Sequence, residues 1–106
     1  MELRKYPRFR VQFRSTFSGD RIDGDGKAID LSQKGCRIES ELTVPASTML
    51  ELRLYVPGLD WPMRVEQASV KWARGREFGL EFVRILPVEE EKLQKVVKDL
   101  EPEERE

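Results

Sequence analysis

The chain has 106 residues, of which 39% are hydrophobic and 37% are charged, and its formal net charge is −1. This length and composition are typical of one folded domain with a modest core and a well-solvated surface. The chain has one cysteine and no histidine, so it lacks the usual general base near neutral pH and the usual ligands of a zinc site. We therefore expect no metal and no cofactor, and an enzyme is the least favoured class.

The charges are distributed unevenly along the chain. Residues 1–14 hold five cationic side chains and one acid, whereas residues 89–106 hold eight acids and four cations. The amino-terminal part is expected to attract anions, but the slightly negative net charge is not that of a duplex-DNA-binding domain. No apolar run approaches the roughly 18 residues that a membrane span requires, and a lone cysteine is typical of a reducing compartment. We expect a cytoplasmic protein that binds neither DNA nor a membrane.

The first element is the basic segment RKYPRFR near the amino terminus. Pro7 restricts Tyr6 to extended backbone, so we predict a loop over residues 1–10 rather than a helix. In an extended chain the Cα atoms of Arg4 and Arg8 lie up to about 13 Å apart. Two guanidinium groups at that separation suit a ligand with two anionic or acceptor-rich ends, or a loop that wraps around one compact ligand. The spacing alone also leaves open a solvated basic leader without a ligand.

A set of β-strands is predicted over residues 11–83. The first strand, VQFRSTF, places its apolar side chains on one face, and the SGDRIDGDG that follows has the composition of a turn. Next come the strand-like KAI and the turn DLSQKG. An Asp-x-Ser pair makes side-chain-to-backbone hydrogen bonds in turns, and Gly35 allows either a positive φ or a close approach of another backbone. Asp30, Ser32 and Gly35 therefore form either an ordinary hairpin turn or one side of a binding site.

Four further segments continue the strand pattern. GCRIE, MLELRLYV and REFGLEF alternate apolar and polar side chains, and Cys36 in the first of them is expected to be a buried small hydrophobe. In MRVEQASVKWA the alternation changes parity between Val65 and Val70, which predicts a β-bulge near Glu66–Gln67. Six strands at this spacing favour a small antiparallel barrel or sandwich. Trp72 is predicted either to lie in the core or to offer a stacking face at a binding site.

The last element is an amphipathic helix over residues 87–101. Its four apolar residues from Leu93 to Leu100 recur at i, i+3, i+4 and i+7, which is a helical period. We expect this stripe to pack on the strands, or to pair with another subunit, so the protein is predicted to be a monomer or a homodimer. Residues 103–106 are expected to form a disordered acidic tail.

The basic segment and the DLSQKG turn together suit a guanine nucleotide. An arginine fork matches the O6 and N7 acceptors of the guanine Hoogsteen edge. A carboxylate such as that of Asp30 accepts hydrogen bonds from the N–H donors of the Watson–Crick edge. Phosphate oxygens would bind the remaining guanidinium group or Lys5. Because lysine lacks the fork, replacing either arginine with lysine is not expected to be conservative.

With both motifs in this order, the chain resembles the PilZ domain family of bacterial receptors for the second messenger cyclic di-GMP (c-di-GMP). The resemblance rests on the R-x-x-x-R of RKYPR, the D-x-S-x-x-G of DLSQKG and the late VKWARGREFGLEF, and it covers nearly the whole chain. It implies an all-β fold with a C-terminal helix: a six-stranded antiparallel β-barrel forming one domain over residues 1–102. It also implies binding of cyclic di-GMP without chemical turnover.

The resemblance further implies a role for each motif residue. Arg4 and Arg8 are expected to contact guanine edges and phosphates from the amino-terminal loop. Asp30 and Ser32 are expected to hydrogen-bond the other side of the ligand. Gly35 is expected to let the backbone approach the ligand closely.

Two further positions bear on the expected ligand site. Some family members carry an aromatic residue where Trp72 stands, so this side chain is included in the expected site. Many members have an additional arginine where this chain has Leu3, and we therefore expect one bound ligand molecule rather than an intercalated pair. The full set of expected ligand-binding residues is Arg4, Arg8, Asp30, Ser32, Gly35 and Trp72.

The expected function is that of a receptor or adaptor whose basic amino-terminal segment becomes ordered when the ligand neutralises its arginines. The ordered segment would present a new surface to a downstream protein partner, whose identity the sequence does not reveal. A PilZ-fold interaction module that no longer binds nucleotide is an alternative, which the two intact motifs disfavour. A barrel that binds single-stranded nucleic acid would need aromatic residues interleaved with basic ones, whereas the basic residues here gather at one end.

Overall fold

The structure, a computed structural model, describes residues 6–101, so Leu3, Arg4 and the acidic tail at 103–106 lie outside the described residues. Six antiparallel strands form a closed barrel in the spatial order β1-β2-β3-β6-β5-β4, with β4 pairing to β1, and a helix follows. This confirms the predicted fold class. The elements are β1 (Phe9–Gly19), β2 (Ile22–Leu31), β3 (Gly35–Glu39), β4 (Met49–Tyr55), β5 (Met63–Arg74), β6 (Glu77–Arg84) and α1 (Pro87–Leu100).

The hairpin of β1 and β2 is longer than the sequence predicted. β1 begins at Phe9, two residues before the predicted boundary of the barrel, and β2 begins at Ile22, before the DGDG run. The connecting turn is confined to Asp20 and Arg21, and Arg21 has a φ of 68°. The prediction of a turn was therefore wrong for residues 18–19 and 22–26, which lie in the two strands.

Close packing explains why glycines occur in this strand. A Cβ atom on Gly24 would approach the ring of Phe17 to 3.0 Å, and one on Gly26 would overlap the carbonyl oxygen of Glu39. Turns and closely packed strands both favour glycine, and the composition of DGDG does not separate the two cases.

The core fills the interior of the barrel. Phe17 on β1 and Phe78 on β6 pack edge to face, with 5.3 Å between ring centroids and 85° between ring planes. Most inward residues of the alternating segments are buried around them, as the period of two predicted, while Val11, Phe13 and Val56 are partly buried. The predicted bulge is also confirmed. Leu50 and Leu52 of β4, two residues apart, pair with Ala68 and Val65 of β5, which are three residues apart. The one extra residue of β5 therefore falls at Glu66–Gln67.

The helix α1 packs on the barrel. Leu93, Val96 and Val97 are buried in the same cluster as the barrel residues, which confirms the predicted packing; pairing with another subunit stays a prediction. The carboxylate of Glu89 accepts a hydrogen bond of 2.9 Å from the backbone N–H of Arg64 and so ties the start of α1 to β5. Within residues 6–101, no helix has both the length and the apolar character needed to cross a membrane.

Candidate functional site

A cleft of about 610 Å³ lies on the barrel surface beside the start of β1, and this volume is within the usual range of ligand sites. Its lining comes from the segment before β1, from β1, β2, β3, β5 and β6, and from the turn between β2 and β3. Five of the described lining residues are cationic and two are acidic, so the cleft favours an anion. The cations are Arg8, Arg10, Lys34, Arg37 and Lys71, and the acids are Asp30 and Glu81.

Arg8 and Asp30 are bonded directly to each other. The guanidinium Nη1 of Arg8 donates a hydrogen bond of 2.9 Å to Oδ1 of Asp30. The strand register produces this contact, because Asp30 pairs with Arg10 of β1 and Arg8 lies two residues earlier on the same chain. Arg8 and Asp30 were expected on opposite sides of a ligand, whereas the structure brings the two side chains together on one wall of the cleft. Contact of either residue with a ligand stays a prediction.

Ser32 builds the turn that leads into β3. Its hydroxyl accepts hydrogen bonds from the backbone N–H groups of Lys34 and Gly35, at 3.1 and 3.2 Å. Its own backbone N–H donates to the carbonyl oxygen of Gly35, at 2.9 Å. Ser32 is buried and does not line the cleft; the turn that it stabilises brings Lys34 to the cleft wall. The predicted hydrogen bond from Ser32 to a ligand remains untested.

Gly35 is required by the packing of β3 against β6. Of the two reasons that the sequence offered for this glycine, a positive φ is absent. A Cβ atom at this position would overlap the carbonyl oxygen of Leu80 on β6, so the close approach of another backbone is the reason. Gly35 does not line the cleft, and the expected approach of its backbone to a ligand stays a prediction.

Trp72 lines the cleft and is 38% exposed, so the alternative that it lies in the core is wrong. An irregularity in β5 explains its direction. Val70 and Trp72 are two residues apart on β5, but they pair with Leu80 and Gly79, which are adjacent on β6. The strand β5 therefore carries one extra residue between the two pairs. Val70 points inward and is buried, and the extra residue turns the Trp72 ring outward. Gly79 leaves room for that ring, because a Cβ atom there would overlap the indole.

Arg37 also lines the cleft; the sequence favours a solvated face of the barrel for this residue over contact with a phosphate. It lies on β3 and pairs in register with Asp30 of β2, and its Nε lies 3.4 Å from Oδ2 of the Asp30 carboxylate. Asp30 therefore lies between two guanidinium groups, those of Arg8 and Arg37. The alternation of GCRIE indicates that Arg37 lies on the outward face of its strand. Its position beside Asp30 becomes apparent only once the pairing of β2 with β3 is known.

A cation–π contact and a buried cysteine lie beside the cleft. The ammonium group of Lys34 lies 5.1 Å from the centroid of the Tyr6 ring, which places the segment before β1 beside the turn between β2 and β3. Cys36 is fully buried beneath the cleft, as predicted. Burial raises the pKa of the Cys36 thiol, the charge of Asp30 raises it further, and Arg8 opposes the shift. The thiol therefore stays protonated and unreactive near neutral pH. Residues 6–101 contain no group of three or more side chains suited to hold a metal ion.

The fold and the cleft first define a class of protein: a small closed barrel of six strands with a helix packed on it and a cation-lined cleft beside its amino-terminal segment. Within that class, residues 2–99 match the PilZ domain family. The chain belongs to the PilZ domain family, as the two sequence motifs predicted.

Solved structures agree with this fold. The inhibitor of motility MotI/DgrA of Bacillus subtilis is similar with a TM-score of 0.74 and 15% sequence identity, over 93% of this chain and 51% of that protein. This chain therefore spans about half the length of that protein. The PilZ domain of CeSA from a cellulose-synthesizing bacterium is similar with a TM-score of 0.71 and 15% identity, over 89% of this chain and 97% of that chain. No curated protein matches the chain. At these identities the likeness shows the fold.

Proposed function

We propose that this chain is a cytoplasmic, non-catalytic receptor for cyclic di-GMP that passes the signal to a protein partner. Membership of the PilZ family, a family of cyclic di-GMP receptors, supports the choice of ligand. The observation that carries the proposal is that Arg8, Asp30 and Trp72, three residues expected at the ligand, line one cationic cleft.

The chemistry of the cleft suits a cyclic dinucleotide. Each ligand molecule carries two phosphodiester groups, each with one negative charge, and the five cationic side chains of the lining exceed its two acids. The half-exposed ring of Trp72 offers a stacking surface for one guanine, and stacking of a base on an aromatic side chain is worth about 1–3 kcal/mol. Arg8 uses Nη1 on Asp30, which leaves other donors of its guanidinium for the acceptors of guanine or phosphate.

Calorimetry with cyclic di-GMP tests this proposal. The wild-type protein is expected to bind saturably at micromolar or lower concentrations, and Arg8→Ala is expected to bind at least about tenfold more weakly, because charge-assisted hydrogen bonds are lost. Arg53→Ala is the matched control. Arg53 forms an ion pair of 3.0 Å with Glu51 and is 42% exposed, close to the 2.9 Å and 41% of Arg8, but it does not line the cleft. The affinity of Arg53→Ala for cyclic di-GMP should equal that of the wild type.

Two results would contradict the proposal in different ways. A wild-type protein that gives no heat with cyclic di-GMP, while still binding a protein partner, would favour the interaction module that does not bind nucleotide. Equal affinity of wild type and Arg8→Ala would remove this arginine from the ligand site. GTP and GMP serve as ligand controls, and tight binding of either would show that the cleft does not select the cyclic dinucleotide.

The proposed relay is an ordering of the amino-terminal segment. Arg8 and Tyr6 already lie beside the cleft, and Arg4 is proposed to reach the ligand from the residues that precede them. A ligand held by both arginines would fix this segment over the cleft and so present a new surface to the partner.

Hydrogen–deuterium exchange measures this ordering. Saturating cyclic di-GMP is expected to lower deuterium uptake in peptides from residues 1–10 and to leave uptake in α1 unchanged, because α1 lies outside the cleft. Unchanged uptake over residues 1–10, at a ligand concentration that saturates the protein by calorimetry, would rule out the relay while leaving the receptor function intact.

A further inference from the structure

Arg37 faces two carboxylates without a hydrogen bond to either. Its Nε lies 3.4 Å from Oδ2 of Asp30, and its Nη1 lies 3.6 Å from Oε1 of Glu77. Both distances exceed the usual range of an N–H···O hydrogen bond, whereas Arg8 reaches the same Asp30 carboxylate at 2.9 Å. Among the buried side-chain atoms of residues 6–101, Nε of Arg37 is one of those without a hydrogen-bond partner. The guanidinium of Arg37 is therefore held by long charge–charge contacts and not by hydrogen bonds to these two carboxylates.

The position of Arg37 leaves its side chain accessible to a ligand in the cleft. Its side chain is 40% exposed and lines the cleft together with Arg8 and Trp72. It also lines two adjoining depressions, one shared with Arg10 and the other with Trp72. Arg37 therefore stands on the wall between the basic start of β1 and the ring on which a guanine is proposed to stack.

The two carboxylates also limit what Arg37 can bind. A bidentate contact with a base edge needs two neighbouring N–H donors of the guanidinium fork. Asp30 faces Nε and Glu77 faces Nη1. In each of the two pairs of neighbouring N–H donors, one donor therefore already faces a carboxylate. The third nitrogen of the guanidinium, Nη2, is not one of the two atoms in those ion pairs. A single anionic oxygen suits that remaining group better than a base edge does.

From this geometry we propose that Arg37 is a third ligand-binding guanidinium of the cleft and binds one of the two phosphate groups of the cyclic dinucleotide. Asp30 and Glu77 hold its guanidinium at the cleft wall, and Nη2 donates to the phosphate oxygen. This inference rests on the proposed function, since it assigns a residue to the same ligand.

Calorimetry of three variants tests the affinity that Arg37 supplies. Arg37→Met keeps the length of the side chain and removes its charge, and it is expected to bind cyclic di-GMP about tenfold more weakly than wild type. Arg37→Lys is expected to lie within about threefold of wild type, because an ammonium group binds phosphate as a point charge. Arg53→Met, outside the cleft, should bind as wild type does.

Phosphorus NMR of the bound ligand separates a direct contact from an indirect effect through Asp30. The two phosphates of free cyclic di-GMP are equivalent, and an asymmetric cleft makes them two resonances. In the saturated Arg37→Met complex one resonance is expected to shift towards its free position while the other keeps its wild-type value. If Arg37→Met does not fold, Arg37→Lys takes its place, because a changed donor also shifts one resonance.

The outcomes distinguish the two proposals. A wild-type protein without saturable binding overturns the proposed function and this inference together. Wild-type binding combined with an Arg37→Met affinity within twofold of it overturns the inference alone, and so do two phosphorus resonances that both keep their wild-type positions. An Arg37→Lys variant as weak as Arg37→Met overturns the assignment to a phosphate.

Discussion

Replacing Gly35 with alanine is expected to lower the free energy of unfolding by about 3 kcal/mol or more. The added Cβ atom would overlap the carbonyl oxygen of Leu80, which belongs to the backbone of β6. Gly35 pairs with Glu81 and its neighbour Cys36 pairs with Leu80, so the clash falls within the ladder that joins β3 to β6. A side chain could rotate away from such a contact, but this oxygen can move only if the strands separate.

Urea unfolding of Gly35→Ala and Gly75→Ala measures this cost against a matched change. Gly75 has a φ of 60°, and a Cβ atom there would meet nothing within 4 Å. Alanine at this position is expected to cost only about 1 kcal/mol, the usual price of a left-handed conformation. Equal losses of stability in the two variants would show that β6 relaxes around the new methyl group and that Gly35 is not needed for the pairing of β3 with β6.

Replacing Gly79 with alanine is expected to remove the Trp72 ring from the cleft and to weaken cyclic di-GMP binding by about tenfold or more, since base stacking on an aromatic ring is worth about 1–3 kcal/mol. The three atoms nearest to a Cβ at Gly79 all belong to the Trp72 indole. The ring must therefore leave its place above Gly79. Calorimetry reports the loss of affinity, and near-ultraviolet circular dichroism reports the loss of the fixed indole environment.

A double-mutant cycle with Trp72→Ala isolates the cause. If the alanine at position 79 acts by displacing the indole, then Gly79→Ala should change ligand affinity very little in a Trp72→Ala background, because the two changes remove the same contact. Additive losses of affinity would contradict this explanation and would place the effect in the backbone of β6 instead.

The fold was predictable from the sequence because its main signals are local. Alternation of apolar residues defines the strands, the change of parity near Glu66–Gln67 located a bulge, and the spacing from Leu93 to Leu100 defined the helix. The DGDG run failed as a turn signal, because its two glycines make room for neighbouring strands. That reason depends on which strands lie beside β2, and this is not encoded in the local pattern.

The site was only partly predictable, since it depends on contacts between distant strands. The motifs predicted Arg8 and Asp30 on opposite sides of a ligand, whereas the direct bond between them follows from the register of β1 and β2. The outward direction of Trp72 follows from an extra residue in β5. Arg37 enters the cleft because β3 pairs it with Asp30. Each of these features requires a cross-strand register that no single segment reveals.

Closure of the barrel restricts how a protein partner can recognise this chain. Each of the six described strands has a neighbour on both sides, and β1 meets β4 to complete the ring. Where both neighbours pair, the backbone N–H and C=O groups are already engaged, so a partner could add a strand only at an overhang such as residues 9–13 of β1, which pair with β2 but not with β4. Over the rest of the barrel, recognition must then depend on outward side chains, and under the proposed relay those beside the cleft would distinguish the ligand-bound state from the free one.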